Sequence, residues 1–147
     1  MSGSFQTPNT LQVLRRVPGA TGPTGNDEYS VQTIYAALPA LVDSLPRAMG
    51  ALGYTIQGGE VVPQTDYAYV DGLLPRWFPG VAPGAVVTVN GIAYTVAPNG
   101  RSAFPDIRAF DVVIREDGTR YLVLQTTFYY EAYPSIALHL NFGRAWQ

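Results

Sequence analysis

The chain of 147 residues lacks cysteine and lysine, and it contains one histidine. Without cysteine, disulfide bonds and thiolate metal sites are excluded. Without lysine, Schiff-base chemistry and a lysine general base are excluded. All nine basic residues are therefore arginines. Genomic base composition is the simplest explanation, although planar guanidinium groups also suit packed interfaces.

Long apolar runs are also missing. No segment approaches the roughly 20 apolar residues that a membrane-spanning helix needs. The N-terminal MSGSFQTPNT has neither the basic segment nor the apolar stretch of a secretory signal. The net charge of −2 argues against an extended nucleic-acid-binding face. The small and polar residues at the N-terminus predict a flexible arm at 1–9. The length and the 47% apolar content predict one globular domain, a single β domain at 10–147.

Two turn signals determine the predicted fold class. Asn90-Gly91 and Asp117-Gly118 tolerate the positive φ angles of tight hairpin turns, and β-branched segments flank both. Each is followed by tyrosine, in NGIAYTV and DGTRYLV. We therefore predict two hairpins, at about 85–97 and 111–125.

Elsewhere in the chain, alternation of apolar and polar residues predicts strands, and the twelve prolines and fifteen glycines predict turns and loops. Strands are predicted at 10–17, 30–37, 65–70 and 136–142, and a short helix at 46–52, where a proline suits the first turn. Loops are predicted at 18–28, 73–83 and 97–110. The expected fold is mainly β, a small barrel or sandwich of about seven to nine short strands with long loops and at most one or two short helices.

No catalytic arrangement emerges from the sequence. His139 lies in a predicted strand, on the side opposite Ile136, Leu138 and Leu140, and no nucleophile elbow or phosphate-binding loop is found. The acidic pairs lack the spacing of a calcium loop. We therefore predict no catalytic residue, no metal ligand and no cofactor.

The aromatic residues are the remaining functional signal. Phe128, Tyr129 and Tyr130 are consecutive, and adjacent strand residues point to opposite faces, so they cannot all enter one core. They belong to the predicted strand TTFYYEAY, which continues from the second hairpin, and at least one face of this strand should expose aromatic surface. Such a patch marks either a partner surface or a sugar-binding platform.

The order of elements resembles the head–tail joining proteins of tailed bacteriophages, also called adaptor, stopper or head-closure proteins. The likeness lies in LQVLRRV, the loop GATGPTGNDEYS, the strand VQTIYAAL, and a closing hairpin with Asp111, Val113, Asp117, Gly118, Tyr121 and Val123. The unit at 90–96 and the aromatic loop at 73–83 depart from the family pattern. The resemblance implies a virion structural protein, assembled in the host cytoplasm as a homo-oligomeric ring around the DNA channel. It implies portal or adaptor and tail proteins as partners, and DNA that passes without sequence-specific binding.

Interface residues are accordingly predicted in loops 18–28 and 97–109, the arm 1–9 and the tail 141–147, together with the aromatic clusters. They are Arg15, Arg16, Thr24, Asp27, Trp77, Phe78, Arg101, Phe104, Arg108, Tyr129 and Trp146. Two alternatives stay open. The glycines at 19, 22 and 25 suggest a trimeric capsid-decoration or tail-fibre-associated protein. Trp77, Phe78 or Tyr129 would serve a carbohydrate-binding β-sandwich as a stacking platform.

Overall fold

The computed structural model describes residues 7–21, 27–44, 52–55, 61–130 and 132–143, with the backbone alone for 18–21, 27–29, 52–55 and 61. This part of the chain is almost entirely antiparallel strand, and the prediction of a mainly β fold is confirmed. The strands are β1 (Asn9–Thr21), β2 (Asp27–Ser44), β3 (Leu52–Thr55), β4 (Val61–Gln64), β5 (Asp66–Asp71), β6 (Val86–Val89), β7 (Ile92–Val96), β8 (Ala103–Pro105), β9 (Val112–Arg115), β10 (Arg120–Tyr129) and β11 (Ser135–Phe142). A single 3-10 turn, Pro75–Trp77, is the only helical element in the described residues.

Six strands close into a barrel in the order β1-β2-β5-β11-β10-β9. Its interior is filled by every second residue of the strands, as the alternation predicts. The fully buried members include Leu11, Val13, Leu38, Val113, Val123, Ile136, Leu138 and Leu140. Closure gives each of the six strands a paired neighbour on both sides, which is one way an all-β protein protects its backbone hydrogen-bonding groups.

The segment between β5 and β9 packs on one end of the barrel. It contains the three-stranded sheet β6-β7-β8, and Phe104 and Ile107 from this segment join the barrel core. We call this sheet the cap. Its own small core includes Leu73, Phe78 and Val96. The predicted loops at 73–83 and 97–110 are therefore largely packed structure, because their apolar residues bury against the barrel end.

Gly72 shows how tightly the cap approaches the barrel. A Cβ atom at this position would lie 2.9 Å from both the backbone oxygen of Ala103 and the ring of Phe104. Leu73 in turn exchanges backbone hydrogen bonds with Ala103. The absence of a side chain at 72 thus allows β8 to lie against the end of β5.

The hairpin of β3 and β4 supports the outer surface of the barrel. Val62 packs with Val112, Leu122 and Leu124, which are outward-facing residues of β9 and β10. The outer face of these strands is therefore a second apolar layer. Residues 46–51 of the predicted helix lie outside the described residues, and Leu52 begins β3.

Both predicted hairpin turns are confirmed. Asn90 and Gly91 have φ angles of 53° and 79°, the left-handed values that a two-residue turn between β6 and β7 requires. In the second turn, Gly118 has a φ of 90° and the N–H of Arg115 donates to the oxygen of Thr119. The side chain of Asp117 accepts from the N–H of Thr119 at 2.9 Å.

The first two strands are longer than predicted. β2 continues through Pro39 to Ser44, beyond the predicted end at 37, and strands replace most of the predicted loop 18–28. Pro39 is tolerated because β2 begins to pair with β5 only at Leu41, so its missing N–H removes no bond from that ladder. Asn9 belongs to β1 and not to a flexible arm. Its side chain is buried, donating to Glu116 and accepting from the N–H of Val42.

Candidate assembly surface

The most prominent feature is a two-stranded ribbon that extends beyond the barrel. β1 pairs with β9 only over 11–14, whereas β1 and β2 remain paired out to Thr21 and Asp27. At about 3.3 Å per residue, the seven residues 15–21 extend roughly 23 Å from the last barrel pair. We call residues 15–21 and 27–33 the ribbon. Within the described residues, no third strand pairs with it.

β2 is irregular where it leaves the barrel, just before the ribbon begins. The pairing register shifts between Leu11 and Val13 and again between Val13 and Leu14, each time with additional residues on β2. Such bulges increase the local twist of the strand. They redirect β2 where it leaves the barrel, and they leave Ser30, Val31, Gln32 and Thr33 exposed. Val31 is 56% exposed, which places a β-branched apolar side chain on the ribbon surface.

An ion-pair network anchors the base of the ribbon. The guanidinium of Arg15 donates to both carboxylate oxygens of Asp111, at 2.9 and 2.8 Å, and to Asp106 at 3.2 Å. The Arg15 and Asp111 side chains are only 13% and 3% exposed. The pKa of Arg15 is raised, chiefly by its hydrogen bond to Asp111. This geometry is the bidentate fork that arginine makes with carboxylates.

Arg108 extends the network to the surface. Its side chain, 65% exposed, forms a second fork with Asp106 at 3.0 Å, and its N–H donates to Asp111. Burial by itself would raise the pKa of Asp106, but hydrogen bonds and charge from Arg108 and Arg15 together lower it. The network connects the ribbon to the loop that precedes β9.

Tyr35 connects the barrel to the cap. Its hydroxyl donates to the oxygen of Ala93 at 2.6 Å and accepts from the N–H of Asp106 at 2.9 Å. The side chain is 8% exposed, and burial raises its pKa. One phenol therefore satisfies backbone groups from β7 and from the segment after β8.

We expect Tyr35→Phe to lower the free energy of unfolding by about 1–3 kcal/mol, because a buried donor and a buried acceptor both lose their partner. Urea denaturation measures the difference. Tyr67→Phe is the matched control, because the Tyr67 hydroxyl contacts Asp43 at the surface; its effect should stay within about 0.5 kcal/mol. Equal effects of the two variants would contradict the role given to Tyr35.

A groove of about 350 Å³ lies between the cap and the end of β10. Its aromatic wall is formed by Phe104, Phe128 and Tyr130, with Phe104 edge-on to both other rings at 5.2 and 5.4 Å. Asp106 and Arg108 also line the groove. Phe128, Tyr129 and Tyr130 are 39%, 50% and 42% exposed. The prediction that this strand exposes aromatic surface is confirmed.

The predicted interface residues fall into three groups. Those with exposed side chains are Arg16, Trp77, Arg101, Arg108 and Tyr129. Those that are mainly engaged inside the chain are Arg15, Phe78 and Phe104. Thr24 and Trp146 lie outside the described residues, and of Asp27 only the backbone is described. Phe78, at 3% exposure, belongs to the core of the cap and offers no stacking surface.

Sequence reasoning missed Asp106 and Tyr35, and it gave Asp111 only a place in a motif. Asp111 directly precedes the β-branched residues Val112 and Val113. A carboxylate next to a strand of this kind is a candidate for burial, and a buried carboxylate needs a partner such as arginine. The sequence could not show which arginine pairs with Asp111, because Arg15 and Asp111 are far apart in the chain. The aromatic wall of the groove could be predicted in part, since alternation places Phe128 and Tyr130 on the same side of the strand.

His139 lies on the outer face of β11, away from the ribbon and the groove. Its Nδ1 contacts Gln64 Oε1 at 3.1 Å and its Nε2 contacts the Thr127 hydroxyl at 2.9 Å. The Gln64 amide nitrogen donates to the oxygen of Asp66, which orients its oxygen toward the ring. We therefore assign the proton to Nδ1, with Nε2 accepting from Thr127. Burial lowers the pKa of His139.

This pKa shift predicts a loss of stability in mild acid. The unfolded chain takes up a proton near pH 6.5, whereas the folded protein resists protonation to a lower pH. The contribution of His139 is therefore complete above pH 6.5 and is lost as the pH falls toward the folded pKa. In urea titrations between pH 7.5 and 5, His139→Gln should flatten the stability profile. Since the chain has no other histidine, an unchanged slope would contradict the assignment.

Among the described residues, no group of three histidine, cysteine, aspartate or glutamate side chains is arranged to hold a metal ion. No helix in the same part of the chain is long and apolar enough to cross a membrane. Comparison of the chain with protein-family models, with curated proteins and with solved structures finds no match.

Proposed function

We propose that the chain is a non-enzymatic structural subunit of a tailed-phage virion. It assembles with copies of itself into a ring of the head–tail connector and joins portal or adaptor and tail proteins around the DNA channel. The observation that carries the proposal is the ribbon, which extends from a closed barrel and has exposed, β-branched residues. A closed barrel can offer strand edges to a neighbour through such an extension.

A ring is the assembly expected if the ribbon of one copy binds a different surface on the next copy. The ribbon and the surface that receives it are different parts of the chain, so each subunit would use one of each. Such a head-to-tail contact repeats from copy to copy and closes into a ring when the rotation permits. The Arg15–Asp111 network supports this role, because it joins the base of the ribbon to the segment that precedes β9. The proposal that this ring belongs to the head–tail connector rests on the resemblance of the sequence to head–tail joining proteins.

The direct test is negative-stain microscopy and mass photometry of the purified chain. We expect annular particles with an opening wide enough for a DNA duplex. In a shortened variant, an Asn-Gly turn replaces residues 16–31 and joins Arg15 to its paired residue Gln32, so that the Arg15–Asp111 pair is kept. Because the barrel core is untouched, this variant should remain folded by circular dichroism and be monomeric. A full-length chain that stays monomeric at high concentration, or forms only trimers, would overturn the proposal.

The groove favours one second candidate, carbohydrate binding. Phe128 and Tyr130 expose neighbouring rings, and Asp106 and Arg108 add polar groups to the lining of the groove. Aromatic faces with a few fixed polar groups are usual in small-molecule sites. Glycan-array hits that Tyr130→Ala abolishes and Tyr133→Ala retains would support this candidate, because Tyr133 is exposed and does not line the groove.

A further inference from the structure

The cap has an open strand edge of its own. β6 pairs with β7 on one side, and in the described residues no strand pairs with its other side. The two-residue turn makes Val89 and Ile92 a hydrogen-bonded pair, so the bonds to β7 alternate along β6. Ala85, at the start of this ladder, accepts from the N–H of Val96 at 2.9 Å. Val86 and Thr88 consequently direct their backbone N–H and C=O groups outward.

This edge carries none of the usual protection against pairing. Its sequence, VVTV, has no charge, no proline and no bulge, and Val86 is 63% exposed. Natural proteins ordinarily cover such an edge or interrupt it with charges or proline. An uncharged, β-branched edge of this kind is a template for an added strand.

We propose that β6 receives the outer edge of β2, residues 30–33, from the ribbon of a neighbouring copy. This inference rests on the proposed ring and names the contact that builds it. Both edges are uncharged over these residues and include β-branched side chains, Val31 and Thr33 on one and Val86 and Thr88 on the other. Four residues on each side match in length.

The arrangement of the two edges makes the contact directional. In the folded chain, β2 begins to pair with β5 only at Leu41, which leaves residues 30–33 available on that side of the ribbon. Pairing of β6 with a second β6 would instead close at two copies and leave the ribbon unused. The ribbon-to-β6 contact uses one donor edge and one receiving edge per subunit, as a ring requires.

Cysteine cross-linking tests the contact, because the chain has no cysteine of its own. One chain carries Val86→Cys, and a second chain carries a single cysteine at position 30, 31, 32 or 33. We expect disulfide-linked heterodimers at one or two of these positions after mild oxidation of mixed, assembled protein. Dimers of the Val86→Cys chain with itself at the same yield would overturn the proposal in favour of two-fold pairing of β6.

A proline in β6 tests the contribution of the contact to assembly. Thr88→Pro removes an outward N–H and leaves the bonds to β7 in place, whereas Thr88→Val retains that N–H and is the control. We expect Thr88→Pro to raise the concentration for half-assembly about tenfold or more, with unchanged circular dichroism. Rings that form equally well with Thr88→Pro would refute the β6 contact and leave the ring itself intact. Absence of rings in the unsubstituted chain would refute the proposed function.

Discussion

Replacement of Arg15 by alanine should lower the free energy of unfolding by about 3–5 kcal/mol, the cost of leaving a buried charge without its partner. The Asp111 carboxylate is 3% exposed, and both of its oxygens accept from Arg15. After the substitution, Asp111 would still accept a hydrogen bond from the backbone N–H of Arg108. This bond satisfies part of the hydrogen-bonding capacity of the carboxylate but does not balance its negative charge. Urea denaturation near neutral pH measures the loss.

The same network provides the control. Arg108 also forms a forked ion pair, with Asp106, but its side chain is 65% exposed. Exposed pairs contribute about 0.2–1 kcal/mol, since water screens them. Arg108→Ala should therefore cost at least about 2 kcal/mol less than Arg15→Ala. Similar losses from the two variants would contradict the view that burial determines the strength of this network.

A second readout connects Arg15 to the ribbon. Because the guanidinium joins β1 to the segment 106–111, Arg15→Ala should loosen the ribbon before it unfolds the barrel. Native-state hydrogen exchange of residues 15–17 and 30–33 should accelerate, while the exchange of β11 should follow global unfolding. Uniform acceleration across the barrel would show that Arg15 stabilises the whole fold and not the ribbon base.

The second large effect is expected from Leu138→Ala in the barrel core. Leu138 is fully buried in β11, between β5 and β10, and neighbours on both strands fix its position. Truncation of a buried leucine costs about 2–5 kcal/mol, because the lost apolar contact is accompanied by a cavity. A closed barrel restricts the strand movements that would fill such a cavity, so we expect the upper half of this range.

Val86→Ala is the comparison for Leu138→Ala. Val86 is 63% exposed on β6, so its truncation should change stability by less than about 0.5 kcal/mol in the monomer. Thermal and urea unfolding of both variants, at a concentration below that of assembly, measure the difference. A small effect of Leu138→Ala would indicate a barrel interior that repacks freely.

The fold class was predicted from signals that depend only on neighbouring residues. Asn90-Gly91 and Asp117-Gly118 determine their turns through backbone conformation, which depends only on neighbouring residues. The alternation of Ile136, Leu138 and Leu140 likewise places one side of β11 in the core. These signals were sufficient for a mainly β fold and for both hairpins, because each requires no knowledge of distant parts of the chain.

The extent of β2 shows where local signals fail. The strand predicted at 30–37 was expected to end before Pro39, yet β2 runs on through it because the edge that faces β5 has no partner at that point. In the same way, loop 97–110 had the composition of an exposed connection, while Phe104 and Ile107 lie in the barrel core. Whether a proline or an apolar loop residue is tolerated depends on what faces it across space.

The candidate assembly surface, like the fold, could be predicted only where the signal is local. Exposed aromatic residues near Phe128 could be predicted, since alternation forbids three consecutive rings from sharing one face. The engagement of Arg15 with Asp111, and the burial of Phe78 in the cap, could not. An arginine next to another arginine in a strand carries no local indication of which carboxylate will face it.

The amino-acid sequence by itself determined the turns, the alternating core positions and the absence of cysteine and lysine chemistry. Tertiary structure alone decided that six strands close into a barrel, that the β5–β9 segment caps one end, and that β1 and β2 extend as a ribbon. The physical reason is the range of the interactions. Turn geometry and alternation act over a few residues, whereas barrel closure and the Arg15–Asp111 pair join residues that meet only after the chain has folded.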